Sequence, residues 1–79
     1  MHQPPTYEVD GGAIREERMR AGLETSQLAE EAGISRRYLS HLENGTRRNM
    51  RPRSYTALRV ALNVNDDRLL SMRRDDRTE

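Results

Sequence analysis

The chain has 79 residues, enough for one small domain and too few for a second. Only 33% of the residues are hydrophobic, with three Tyr and neither Phe nor Trp, so the core must be thin and aliphatic. The absence of cysteine excludes disulfides, thiolate metal sites and a cysteine nucleophile, and no apolar run approaches a signal peptide or a membrane span, which makes a cytoplasmic protein the expectation.

Low hydrophobicity with 34% charged residues is also the signature of disorder. The regular spacing of Leu, Ile and Ala through the middle of the chain argues against it there. The net charge of +1 conceals a division. Residues 1–32 hold three Arg and seven acids, residues 33–62 hold seven Arg against Glu43 alone, and residues 63–79 hold four Arg and five acids. A basic segment offset elsewhere in the chain is the electrostatic footprint of a polyanion binder. By itself such a run is more often a solvated charged face.

In chain order, residues 1–10 read as a flexible N-terminal arm, because Pro4-Pro5 forbids a helix and the segment is polar. Tyr7 and Val9 can tack it onto the domain or onto a partner. Asp10 can cap a first helix from about Gly12 to Ala21, whose apolar residues are Ile14, Met19 and Ala21. Gly22-Leu23 ends it. From Thr25 to Gly45 the spacing predicts two short helices meeting at a sharp angle. Ala29 is small enough to let them cross closely, and Gly33 can take the left-handed conformation that turns the chain. Ser35 can cap the second of the pair. Leu39 and Leu42 point back onto the first. Their opposite face carries Arg37, Ser40, His41 and Asn44, with Arg36 at its edge, and that combination suits the major groove of DNA.

Asn44-Gly45 stops this helix, and Thr46 to Arg53 reads as a loop with four Arg and no acid. Pro52 precedes a fourth helix, about Ser54 to Leu62, with Tyr55, Leu58, Ala61 and Leu62 on one apolar face. Asn63 can accept a left-handed turn. Asn65 can then cap a last short helix, with Asp66 and Asp67 in its first turn and Leu69, Leu70 and Met72 as its apolar residues. Residues 73–79 read as a polar tail, leaving 11–72 as the domain.

At these residues the chain resembles the Cro/cI-type (XRE family) helix-turn-helix DNA-binding domains of phage and bacterial regulators. The resemblance rests on I-R-x-x-R at Ile14 to Arg18, G-L at Gly22-Leu23 and L-A-x-x-A-G-I-S at Leu28 to Ser35. It continues through L-E-N-G at Leu42 to Gly45 and A-L-x-V at Ala61 to Val64, ending at Leu69-Leu70. It implies an all-α, single five-helix, lambda-repressor-like domain and sequence-specific binding of double-stranded DNA by a transcriptional regulator, with 35–44 as recognition helix. Arg36, Arg37, Ser40 and His41 are the candidates for base contact, with Arg37 foremost because arginine can bond guanine O6 and N7 together. Thr25, Gln27, Ser35, Tyr38, Asn44, Arg47, Arg48 and Arg51 are the candidates for the DNA backbone, with Arg53 a further one, and a half-buried Tyr38 packing on the motif is an alternative. The family also implies an ion pair between Arg18 and Glu43.

One departure stands out. Relatives usually place Ser, Thr or Asn and then Gln at the positions of Glu24 and Thr25, and that Gln commonly bonds a phosphate. Thr25 is shorter than that Gln, and Glu24 puts a negative charge close to where the phosphate would sit. The alternative is a second helix that starts one residue late, with Thr25 as its cap and Gln27 or Ser26 near the backbone.

Nothing in the chain composes an enzyme. His2 and His41 lie far apart with no cysteine to join them, so no metal ligand set exists. Ser40, His41 and Glu43 diverge on one helix and cannot relay protons. Asp66-Asp67 and Asp75-Asp76 read as a helix start and a soluble tail. No glycine-rich phosphate loop is present, and no cofactor is expected. The rival reading is an antitoxin or adaptor module whose main partner is another protein. A weak homodimer through the last helix and its surroundings, with the N-terminal arm as a further contact, is expected. Leu69, Leu70 and Met72 exceed what a thin core absorbs, and two-fold pairing doubles the contacts on half-sites about 34–36 Å apart.

Overall fold

The structure, a computed structural model, describes residues 6–71; arm residues 1–5, Met72 and the tail 73–79 lie outside the described residues. Four helices and one short antiparallel sheet follow in the order β1 (Tyr7–Glu8), α1 (Gly11–Arg20), α2 (Thr25–Ala32), α3 (Arg36–Glu43), β2 (Asn49–Met50) and α4 (Pro52–Leu62).

The local chemistry of each helix end explains its bounds. Asp10 caps α1, its carboxylate accepting from the Gly12 amide at 3.0 Å and the Ala13 amide at 3.3 Å. At the other end of α1, Leu23 N–H donates to Arg18 O and Gly22 N–H to Met19 O. The same paired closure ends α2, from Ile34 to Ala29 and Gly33 to Glu30, and α4, from Val64 to Arg59 and Asn63 to Val60. Gly33 reaches it at φ 72° and Asn63 at φ 57°. Helix α4 begins two residues before its expected start, because Pro52 sits in its first turn, where a missing N–H costs nothing.

Ile14, Leu28, Leu39, Leu42, Met50, Leu58 and Leu69 are fully buried and draw all four helices and the last turn into one core. Ala29 is buried between α2 and its neighbours, as its size permits. The approach of α1 to the end of α3 is closest at Gly11, where a Cβ would stand 2.1 Å from Leu42 O and 2.8 Å from Glu43 O. Only a residue without a side chain fits there.

Four expectations are corrected. The fold is not strictly all-α. Tyr7 and Glu8 pair with Met50 and Asn49, and Val9 N–H donates to Arg48 O at 2.7 Å, so the expected arm is part of the domain from Tyr7 onward. Burial of Val9 and Met50 drives this pairing, and the Tyr7 ring meets Tyr55 edge-on at 5.1 Å. The segment read as a pure loop after Gly45 therefore contains β2.

The fifth helix, expected from Asn65, is absent from the described residues. Residues 66–69 form turns, and Leu70 bridges Val9. Asp10 N–H takes the Leu69 carbonyl at 2.8 Å and Ser71 N–H donates to Glu8 O at 2.9 Å, so strand-like partners claim the backbone groups a helix would use. Leu69 is fully buried and Leu70 packs half-buried on the core. Leu69 and Leu70, two of the three apolar residues on which a dimer through this segment was expected, thus pack inside the monomer; the third, Met72, lies outside the described residues.

Candidate nucleic-acid interface

Helix α3 is held from both sides of its sequence pattern. Ser35 Oγ accepts the Tyr38 amide at 3.0 Å at its start, and Leu39 and Leu42 sink into the core. The opposite side is left to solvent, where Arg36, Arg37, Ser40, His41 and Asn44 together line one shallow hollow. Eight residues make a helix about 12 Å long, comparable with the ~12 Å width of the major groove. His41 is half-buried, and its Nδ1 is buried without a hydrogen-bond partner among the described residues.

The second helix does not start one residue late. Glu24 is the cap residue and Thr25 the first helical one. Gln27 reaches back, its Oε1 accepting the Glu24 amide at 2.8 Å, which ties up the carbonyl end of Gln27 within the helix start. Thr25, Ser26 and Glu24 share a hollow with Arg18 and Arg36, so the starts of α2 and α3 lie side by side.

The loop after α3 is fastened to that helix. Arg47 N–H donates to His41 O at 3.0 Å, and Asn44 Oδ1 accepts the Thr46 amide at 2.9 Å. The Arg47 guanidinium lies over the Tyr38 ring, 6.0 Å from its centre. Tyr38 itself is half-buried and donates its hydroxyl hydrogen to Asn49 O at 3.1 Å. A phosphate bond from Tyr38 would require releasing that hydrogen. Arg48 stands with Asn44 and Gly45 at a second hollow beside the start of α1. Arg51 is exposed at the start of α4.

Arg18 and Glu43 are joined by two parallel hydrogen bonds, Nε to Oε2 at 2.8 Å and Nη2 to Oε1 at 3.1 Å. Arg18 Nη1 also donates to Leu23 O at 3.0 Å, so one side chain ties α1, the turn after it and the end of α3. The bond from Glu43 raises the Arg18 pKa above its ordinary value, more than burial lowers it.

The arginines divide into two sets. Arg18, Arg20, Arg59 and Arg68 are held by carboxylates. Among the described residues, Arg15, Arg36, Arg37, Arg47, Arg48, Arg51 and Arg53 have no ion pair, and all but Arg15 lie on α3, in the loop after it or at the start of α4. Sequence reasoning quoted Arg15 within I-R-x-x-R without giving it a role, and passed over Gly11 and the reach of Gln27 to Glu24, of which the second had a signal, the spacing of a capping box. Among the described residues there is also no metal-binding group of three His, Cys, Asp or Glu, and no helix long and apolar enough to cross a membrane.

Comparison with known proteins agrees with this geometry. Residues 11–71 match the helix-turn-helix domain family. No curated protein sequence matches significantly. Among solved structures, SinR of Bacillus subtilis, described as the master regulator for biofilm formation, in complex with DNA, is 31% identical over 77% of this chain and 100% of its own, with a TM-score of 0.73. The restriction-modification controller protein C.AhdI from Aeromonas hydrophila is 32% identical over 76% of this chain and 89% of its own, with a TM-score of 0.70. SinR complexed with SinI is 29% identical over 84% of this chain and 64% of its own, with a TM-score of 0.73. The matched family spans every helix described above, and the chain belongs to the helix-turn-helix domain family.

Proposed function

We propose that this protein is a sequence-specific DNA-binding transcription regulator that inserts α3 into the major groove. The DNA-binding role rests on the family and on its regulatory relatives, which are not enzymes. The observation that supports the finer reading is the sorting of arginines. Among the described residues, carboxylates hold Arg18, Arg20, Arg59 and Arg68, while the guanidinium groups of α3 and its following loop are exposed and have no ion pair.

Arg36, Arg37, Ser40 and His41 are the base-reading side chains in this proposal, since they share the outer hollow of α3. Arg37 reads guanine with two hydrogen bonds. Arg47, Arg48 and Arg51, with Thr25, Ser35 and Asn44, hold phosphates and set the register of α3. Gln27 and Tyr38 act by bracing: the first ties the start of α2, the second ties α3 to β2.

Two copies bind as a weak homodimer on two half-sites, because one small domain makes few base contacts. The site of action is the cytoplasm. A protein partner is compatible with this reading, since SinR is also solved with SinI, and such a partner would dock away from α3. An antitoxin or adaptor role without DNA is not favoured.

The test is selection of bound duplexes from random DNA, followed by affinity on the selected and on an unrelated duplex across a salt series. The proposal expects a preference of about 10³-fold or more for the selected duplex and a steep loss of affinity with salt. Equal affinity for both duplexes would reduce the protein to a nonspecific binder. No affinity for either would give the lead to the protein-partner reading.

A further inference from the structure

We propose that Arg15 contacts a DNA phosphate, extending the interface from α3 onto α1; the inference rests on the proposed DNA-binding function. Arg15 is exposed, one turn before Arg18 on the same side of α1. The close approach of Gly11 to the Leu42 carbonyl brings this half of α1 against the end of α3. Arg15 shares a shallow hollow with Ser40, Glu43 and Asn44, and Ser40 and Asn44 also line the hollow of Arg36, Arg37 and His41. One continuous surface therefore runs from the recognition helix to Arg15.

The acids around Arg15 are engaged with other arginines. Both oxygens of Glu43 are taken by Arg18. Glu16 meets Arg20 at 3.6 Å and Arg68 at 3.3 Å, and Glu17 meets Arg68 at 2.8 Å. Arg15 is thus the one arginine outside residues 36–53 that is left without an ion pair among the described residues. A guanidinium in that position presents a fork of donors suited to a phosphodiester oxygen pair. With α3 in the groove, α1 lies outside it, so the strand backbone flanking the groove, rather than a base edge, is what the Arg15 fork meets.

The experiment compares Arg15→Gln and Arg15→Lys with the unaltered protein on a selected duplex and on an unrelated one, across a salt series. Arg15→Gln should weaken both duplexes alike, about tenfold at low salt, and lower the slope of log affinity against log salt by about one unit per subunit. Arg15→Lys should restore the slope, because it restores the charge. Melting temperature should be unchanged in both, since the side chain is exposed. Unchanged affinity and slope in Arg15→Gln would overturn the contact, as would a changed base preference with an unchanged slope. A fall in melting temperature that Arg15→Lys does not repair would make Arg15 a structural residue and overturn it too. If the unaltered protein bound neither duplex, the DNA-binding function itself would fall, and this contact with it.

Discussion

The hydroxyl of Tyr38 donates to the main-chain carbonyl of Asn49 at 3.1 Å, which ties the third helix to the short strand that closes the arginine-bearing loop. The same ring lies beneath the Arg47 guanidinium. Tyr38 thus couples the element proposed to read bases to the segment proposed to hold phosphates. Tyr38→Phe keeps the ring and deletes the bond. We expect a stability loss of about 1 kcal/mol by thermal melting, the usual net value of one hydrogen bond. Affinity should fall alike on selected and unrelated duplexes, with base preference intact. A changed base preference would mean that Tyr38 reads DNA directly.

Arg18 and Glu43 are a nearly buried pair with side-chain exposures of 14% and 10%. Removing either partner strands the other charge, and Arg18→Met or Glu43→Leu alone should cost about 3 kcal/mol, at the lower end for buried pairs. The double variant should recover much of that loss, since it leaves no orphan charge. Chemical denaturation of the four proteins checks this. Strictly additive losses would mean the two side chains act independently.

Adjacent glycines at the start of the first helix should respond in opposite directions. A methyl at Gly11 would collide with the backbone carbonyls of Leu42 and Glu43, so Gly11→Ala should destabilise by about 2–3 kcal/mol. At Gly12 a Cβ meets only Asp10 Oδ1, at 3.4 Å, and Gly12→Ala should stabilise by about 0.5 kcal/mol through reduced freedom of the unfolded chain. Similar melting temperatures for the two variants would contradict the close crossing of the first and third helices.

Tyr55 is buried, and its hydroxyl donates to Asp66 O. Burial raises its pKa above the ordinary value, so the fold favours the neutral phenol. Its contribution to stability is therefore complete below about pH 10 and declines as pH rises above that. Tyr55→Phe should lose about 1 kcal/mol at neutral pH and show a shallower alkaline decline in melting temperature. An identical decline in both proteins would place its cause elsewhere.

How much of this was legible in the sequence depends on the range of the interaction. The second and third helices were, because Leu28, Ala29, Leu39 and Leu42 recur at helical spacing and Gly33 and Ser35 mark the turn between them. The outer face of the third helix followed from the same wheel, and the charge of residues 33–62 lay in plain view. The strand pairing of Tyr7 and Glu8 with Asn49 and Met50 was not, since two-residue strands carry no periodicity and form only when distant segments meet. The same pairing, continued from Val9 to Leu70, displaced the expected fifth helix, and local capping residues such as Asn65 could not reveal that competition. Gly11 was missed, and Arg15 was seen only as part of a motif, because their positions matter where the first helix meets the end of the third.

The central claim is that the third helix reads sequence while the loop after it holds the backbone. The most direct measurement is affinity of Arg37→Ala, Arg47→Ala and Arg48→Ala for a panel of duplexes carrying single base-pair changes, repeated across salt concentrations. Arg37→Ala should lose about 1–3 kcal/mol on the preferred duplex and relax preference at one position of each half-site. Arg47→Ala and Arg48→Ala should weaken every duplex about equally and each lower the salt slope by about one unit per subunit. If Arg37→Ala left the preference unchanged while Arg47→Ala altered it, the orientation of the motif on DNA proposed here would be contradicted.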